Sequence, residues 1–199
     1  TDLMVGRPVS LEIERPEVAE KNTILKVVDL TVMKTDGTMA LDDISFDIKT
    51  GEILGVAGVA GSGQKELCET ITGLMAAKQG AILYHKENIV GKTPAEIIKL
   101  GISMSFVPED RLGMGLVASM GMVDNMMLKT YREHKGPFVD RKAPRALAQR
   151  LIDELEIVTP GVDTPVRRLS GGNVQKVLVG REIDSTPTVL MTAYPVRGL

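Results

Sequence analysis

The alternation of apolar and polar positions divides this chain into a β-rich start, a helical middle and a β/α end. Residues 1 to about 22 place Pro8 and Pro16 among alternating charges (Glu12, Glu14, Arg15, Glu17) and predict a linker. Ile24 to Val32 is apolar and β-branched, which predicts a strand; Asp36-Gly37 marks a turn, and Ile44 to Ile48 alternates as an antiparallel strand does. Glu52 to Ala57 predicts a buried strand that runs into a glycine-rich loop. Gln64 to Leu74 has helical spacing through Leu67, Ile71 and Leu74, with Gly73 near its end. Ala81 to Tyr84 and a neighbour near Ile89 predict a short antiparallel edge. Thr93-Pro94 reads as a helix cap followed by proline at the first helical position, and Gly101 ends that helix. Ile102 to Val107 predicts a strand. Residues 122 to 158 are mostly helical with a break around Gly136-Pro137, and Leu147, Leu151, Ile152 and Leu155 form an apolar stripe. A helix from Gly171 to about Ile183 and a strand from Thr188 to Thr192 complete the pattern. Strands alternating with helices at both ends predict an α/β protein with a mainly parallel sheet. An antiparallel β element flanks that sheet, and a helical block is inserted.

Composition narrows the class. The chain has 199 residues, 43% of them hydrophobic, which supports a real core, and its formal net charge of −2 argues against nucleic acid as the main partner. No apolar run approaches the roughly 20 residues that span a bilayer, so no direct membrane insertion is expected. The single cysteine, Cys68, excludes an intrachain disulfide and is expected to pack a helix rather than to react. The chain begins with Thr1 and stops just after a motif, so a piece of a longer polypeptide is expected. Met114, Met120, Met122, Met126 and Met127 lie close together, either as adaptable core filler or as a soft surface for a partner helix.

Three segments carry candidate chemistry. Gly58-Val59-Ala60-Gly61-Ser62-Gly63 lies between a predicted strand and a predicted helix, where glycines let backbone N–H groups turn inward around phosphate oxygens and the helix start faces an anion. A phosphate loop usually continues with Lys and then Ser or Thr, but here Gln64, Lys65 and Glu66 follow. Gln64 carries no charge. Lys65 is turned by about 100° around the helix and is expected to point away from the usual lysine position, as a solvated lysine or as a compensating phosphate contact. No hydroxyl remains at this position for Mg²⁺. The second segment, Val189 to Pro195, is an apolar strand that ends in Ala193 and Tyr194. Neither residue supplies a metal ligand or a base effective at neutral pH. The third, Leu169-Ser170-Gly171-Gly172-Asn173, predicts a serine-capped helix start whose hydroxyl and N–H groups face an anion. Arg181 and Lys176 are expected to stabilise the surface or the C-terminal half of that helix.

In this order and at these spacings the three segments resemble the motifs of ATP-binding cassette (ABC) proteins, and almost the whole chain resembles the ATP-binding subunits of ABC importers for simple sugars and nucleosides. Leu169 to Val177 is similar to the signature of the second nucleotide-binding half of these tandem proteins, with Val174 where Gln is usual. Val107-Pro108-Glu109-Asp110-Arg111 resembles their Q-loop, with Glu109 at the Gln position. Leu3 to Arg7 is similar to the junction between the halves, and Pro195 to Leu199 resembles the lead into the D-loop. The resemblance implies a P-loop NTPase-like ABC core over residues 23–199, cut before the D-loop Asp and the switch His. It implies a nucleotide loop at 58–66 with degenerate Walker residues at Gln64, Ala193 and Tyr194, so that ATP binds weakly or with a partner's help. It also implies a signature that acts in trans on a first nucleotide-binding domain, and permease subunits as partners at the cytoplasmic face of a membrane. Nucleoside import is favoured over sugar import by the Val5-Gly6-Arg7 junction and the Thr164 to Arg168 lead-in. No aromatic near Met33 or Lys34 is available to stack an adenine. His85 and His134 are expected to be plain surface residues. A nucleotide-independent dimerisation scaffold is the alternative of another class; a P-loop kinase or GTPase would leave the Ser-Gly-Gly helix unexplained.

Overall fold

A computed structural model describes residues 21–59, 61–100, 104–131 and 139–193. Strands β1 (Thr23–Met33) and β2 (Met39–Lys49) form an antiparallel pair, and β1 also pairs with β3 (Gln79–Tyr84), which carries the short β4 (Glu87–Asn88). The sheet order is β2-β1-β3-β4. The second sheet among the described residues joins β5 (Met104–Val107) to β6 (Val189–Thr192) in parallel. Helices α1 (Gln64–Ile71), α2 (Pro94–Lys99), α3 (Met122–Thr130), α4 (Lys142–Glu154) and α5 (Gly171–Asp184) complete the chain. The Glu12–Glu17 linker segment, Ile102, Gly136-Pro137, His134 and the stretch from Tyr194 to Leu199 lie outside the described residues.

The phase of β1 slips once. Leu25 and Val27 are buried, then Leu30 and Val32, because a bulge with Asp29 at φ 47° inserts one extra residue. Ser45 holds the bulge: its Oγ accepts from Asp29 N at 2.8 Å and donates to Asp29 Oδ1 at 3.0 Å. Gly80 faces the bulge with φ +99°, and a Cβ there would lie 2.5 Å from Asp29 O and 2.6 Å from Val28 O. Gly80→Ala is therefore expected to lower stability by ~2 kcal/mol, through a forced backbone shift and a strained φ. A thermal melt checks it, and an unchanged midpoint would refute it. Helix α2 begins with the cap read from Thr93-Pro94, reinforced by a reciprocal bond from Glu96. Hydrogen bonds from the Thr93 backbone and hydroxyl hold the Glu96 carboxyl below its ordinary pKa, so this cap contributes at neutral pH and fades as pH falls through that lowered value.

One predicted strand is absent. Residues 51–59 make no strand ladder and lie open to solvent, with Ile53 88% exposed and Val59 78% exposed. Gly51, Gly55 and Gly58 interrupt the apolar run, and glycine weakens a strand interior through backbone entropy and missing side-chain packing. Apolar content alone therefore overstated the strand at 52–57.

Among the described residues there are two hydrophobic cores. The first joins the antiparallel sheet to α1 (Leu67, Ile71), to α2 (Ile97) and to Val189 of β6. The second gathers α3, α4 and α5 around Val107 at the end of β5. The stripe read on α4 faces it: Leu151 is buried, and Leu147, Ile152 and Leu155 pack against it. The methionines divide between both readings. Met122 and Met126 are core, whereas Met114 and Met120 are exposed. Asn125, fully buried, organises the turn before α3: it accepts from Val117 N at 2.8 Å and donates to Val117 O, Met120 O and Gly121 O.

Candidate functional site

Parallel strands deliver their C-terminal ends to one edge, which is where α/β proteins place ligand crevices. Val107 and Thr192 are paired at the ends of β5 and β6, and Ala193 N donates to Val107 O at 2.8 Å, extending the ladder by one step. Beyond that edge a cavity of about 500 Å³ opens, within the size range of small-molecule sites. Three separate segments line it: Gly61, Gly63, Gln64, Lys65 and Glu66 from the loop and the start of α1; Pro108, Glu109, Asp110 and Met114 from the turn after β5; and Ala193. Glu69 completes it. The structure thus brings together the glycine loop, the Glu109 position and the Ala193 position, which are up to 132 residues apart (193 − 61). Ala60 and Tyr194 lie outside the described residues.

The loop is shaped by its glycines. Gly61 and Gly63 have φ of +86° and +95°, and a Cβ at Gly63 would press on Ala40 O and the Leu41 side chain. Ser62 N donates to Val59 O at 3.1 Å, closing the turn, and Leu67 N donates to Gly63 O at 2.8 Å, opening α1. Helix geometry leaves the first-turn N–H groups of Gln64, Lys65 and Glu66 without an intrahelical acceptor. The Gln64 side-chain amide folds back over Gly58, where a Cβ would collide with it. Lys65 runs along the helix toward Glu69, 3.7 Å from Nζ to Oε1, and is two-thirds exposed. Lys34 reaches Glu66 at 3.7 Å. Burial pushes the Cys68 thiol upward, with the Glu69 carboxylate adding to the shift, which keeps the sulfur protonated and suits a packing role.

Among the described residues carboxylates outnumber cations around the cavity: Glu66, Glu69, Glu109 and Asp110 against Lys65. Among the described residues no group of three or more His, Cys, Asp or Glu is placed to hold a metal ion. Asp110 is occupied locally, its Oδ1 accepting from Gly113 N at 2.8 Å at the start of a π-helical turn, Arg111–Gly115. Ala193 offers no ligand. Lys65, at the position where a phosphate loop usually offers a Mg²⁺-binding hydroxyl, and Ala193 supply no side-chain oxygen.

The start of α5 lies apart from this cavity. Ser170 caps the helix, its Oγ accepting from Asn173 N at 3.4 Å and from Asn173 Nδ2 at 2.9 Å. Asn173 Oδ1 in turn accepts from Val158 N at 3.0 Å, which ties the cap to the chain after α4. Ser170 and Gly171 are exposed, Leu169, Gly172 and Asn173 are half-buried, and none of them lines the cavity.

Of the two roles expected of Arg181, the structure places it in the second, within the C-terminal half of α5 rather than on the surface. It is buried, 8% exposed, beside Glu182 at 1%. Its Nη2 lies 2.8 Å from Glu182 Oε1 and donates to Gly115 O at 2.6 Å, while Nη1 donates to Asn125 O at 3.4 Å. Glu182 Oε2 meets Lys129 Nζ of α3 at 2.6 Å. Lys176 is half-buried and donates to Glu156 O at 3.2 Å. The only sequence signal for the buried network was two adjacent opposite charges at 181–182, a pattern that solvated helix faces also show. His85 is exposed, as expected.

A family model described as ABC transporter matches residues 41–193. The chain belongs to the ABC transporter family. It is 37% identical over 201 residues to the nucleoside import ATP-binding protein NupA of Lactococcus lactis subsp. cremoris (strain MG1363), covering 100% of this chain and 39% of that protein. It is 34% identical over 199 residues to the galactose/methyl galactoside import ATP-binding protein MglA of Vibrio cholerae serotype O1 (strain ATCC 39315 / El Tor Inaba N16961), again 39% of that protein's length and 99% of this chain. The chain therefore spans about two fifths of these relatives. Among solved structures, the dimeric bacterial ABC transporter cassette MJ0796 matches with a TM-score of 0.75 at 21% identity, over 88% of this chain and 75% of that one. The fold is that of an ABC ATPase, with an antiparallel β subdomain and a helical subdomain. No helix among the described residues is long and apolar enough to cross a membrane.

Proposed function

We propose that this chain is the second, C-terminal nucleotide-binding domain of an ABC importer, with a degenerate site of its own and a signature that completes the ATP site of a partner domain. The carrying observation is the separation of the two anion-facing elements. The glycine loop opens into the cavity with Glu109 and Ala193, while Ser170 and Gly171 face solvent. A helix start presented outward suits a phosphate held by another molecule or domain.

In this reading residues 58–66 hold the phosphates of ATP through the first-turn amides of α1 and the Gln64 side chain. The bound nucleotide is a static clamp rather than a substrate, because no hydroxyl, carboxylate or base at 64, 65 or 193 serves Mg²⁺ or water activation. Leu169 to Asn173 act in trans on the ATP of the first domain of the same polypeptide. Residues 1–22 are the linker from that domain, and 23–199 are the domain itself. The assembly works with permease subunits, which Glu109 and the exposed Met114 and Met120 would meet, and sits at the cytoplasmic face of the membrane. A nucleoside is the favoured cargo, ahead of a simple sugar; the relatives' names include both nucleoside and galactose import.

One observation favours a second reading, a nucleotide-independent dimerisation scaffold. Four carboxylates against one lysine make the cavity unwelcoming to a triphosphate. Titration of this chain with fluorescent ATP separates the two. Saturable binding in the micromolar to millimolar range, roughly −8 to −4 kcal/mol, with no phosphate release is the expected result. No binding at millimolar nucleotide favours the scaffold, and turnover that disappears on Gln64 or Lys65 substitution refutes the degenerate-site reading.

A further inference from the structure

Helices α1 and α2 both carry a glutamate as their third residue, and the two side chains behave differently. In α2 the carboxylate of Glu96 turns back over the helix start, where Thr93 N and the Thr93 hydroxyl each donate to its Oε2 at 2.7 Å. This is a favourable place for a glutamate, because it satisfies a free backbone N–H and sits at the positive end of the helix. In α1 the corresponding residue is Glu66. Its carboxylate lines the cavity, is 16% exposed and makes no such return bond among the described residues. The cap residue of α1, Gly63, has no side chain to cover the helix start in its place.

The Glu66 carboxylate faces Lys34 instead, with Nζ 3.7 Å from Oε1. Lys34 follows β1 directly, and its backbone is fixed by the turn: Lys34 N donates to Thr38 O at 2.8 Å, and Gly37 N donates to Lys34 O at 3.0 Å. The start of α1 is set against the same hairpin, since a Cβ on Gly63 would lie 2.3 Å from Ala40 O of β2. Cation and carboxylate are thus held on two elements in fixed relation. Lys65 does not share this task, because it runs along the helix to Glu69 and is two-thirds exposed. A carboxylate turned back over the first-turn amides would take the place of a phosphate oxygen there, as one anion displaces another at a helix start.

We propose that Lys34 is a positioning residue that holds the Glu66 carboxylate off the start of α1 and so keeps the first-turn amides open to phosphate. Its consequence for ATP rests on the reading of the cavity as a nucleotide site, and the experiment tells the two apart. Amide exchange at Gly63 to Glu66 is followed by NMR without nucleotide, and fluorescent ATP is titrated. Both are measured in the whole chain, in Lys34→Ala, Lys34→Arg and Glu66→Ala, and in Lys34→Ala combined with Glu66→Ala. A lost half-exposed ion pair costs little, so Lys34→Ala stays folded. In Lys34→Ala exchange is expected to slow by ~5-fold, the size of a carboxylate's interaction with a helix start, and ATP affinity to fall by a similar factor. Lys34→Arg keeps both near the parent values. In the Glu66→Ala background Lys34→Ala changes each by no more than ~2-fold, the scatter of independent sites. A direct attraction between Lys34 and phosphate would cost the same affinity in both backgrounds. Exchange that does not slow in Lys34→Ala overturns the proposal, as does an equal loss of affinity with and without Glu66. Slowed exchange in a chain that binds no ATP overturns the nucleotide reading alone.

Discussion

Ser170→Arg is expected to lower ATP turnover by at least about 100-fold in an assembly that pairs this domain with a hydrolytically complete cassette, a loss comparable to removing one preorganised anion donor. The Ser170 hydroxyl sits at the exposed start of α5, where the first-turn N–H groups have no intrahelical acceptor. Arginine would fill the space a phosphate needs and would remove the acceptor for Asn173 N. The lost cap costs ~1 kcal/mol, too little to unfold a domain held by roughly 5–15 kcal/mol. Ser170→Asp sharpens the result. It keeps an acceptor for the cap, so the helix stays, yet it sets a negative charge against the incoming phosphate. Phosphate release by the paired assembly is the measurement. Turnover retained in both variants would remove the trans role from the signature.

Glu182→Ala is expected to cost ~3–5 kcal/mol, since it strands a buried guanidinium without its counter-ion. At this chain length that is a fall of roughly 10 °C in melting midpoint. The carboxylate answers two cations at once: Arg181 through Oε1, and Lys129 through Oε2, which accepts no other hydrogen bond among the described residues. Lys129 is one-third exposed and can turn to solvent; Arg181 cannot. The damage should therefore come from Arg181. Arg181→Met combined with Glu182→Leu, which removes the charges together, is expected to recover most of the loss. Calorimetry on the three chains decides it. A Glu182→Ala midpoint within about 2 °C of the parent would show the network to be ornamental to stability.

The legible part of this protein is local. Caps, turns and periodicities at Thr93-Pro94, Asp36-Gly37, Ser170 and Leu147–Leu155 were readable because their causes lie within four residues of one another. The motif positions Glu109 and Ala193 meet because two parallel strands end at one edge, and Gly63 lines the same cavity, whereas Glu69 and Met114 in its lining carried no motif signal. Long-range partners left no local trace. Nothing near Arg181 in sequence marks its bonds to Gly115 O and Asn125 O, 66 and 56 residues away. The Arg111 contact with Gly171, 60 residues away, was equally silent. The strand at 52–57 failed for the opposite reason. Its apolar residues were plain, but its glycines weighed more than their neighbours' hydrophobicity.

The ladder of β5 and β6 belongs half to each core. Val107 packs among the helices that carry Ser170, and Val189 packs with the sheet and the helix that carries the glycine loop. Four rungs thus form the seam between two cooperative units, and the cavity opens at the end of that seam. If an anion binds there as proposed, it bears on both halves, so its binding energy would act as a rivet across the joint, and the gain in stability would be shared by elements that never touch the ligand.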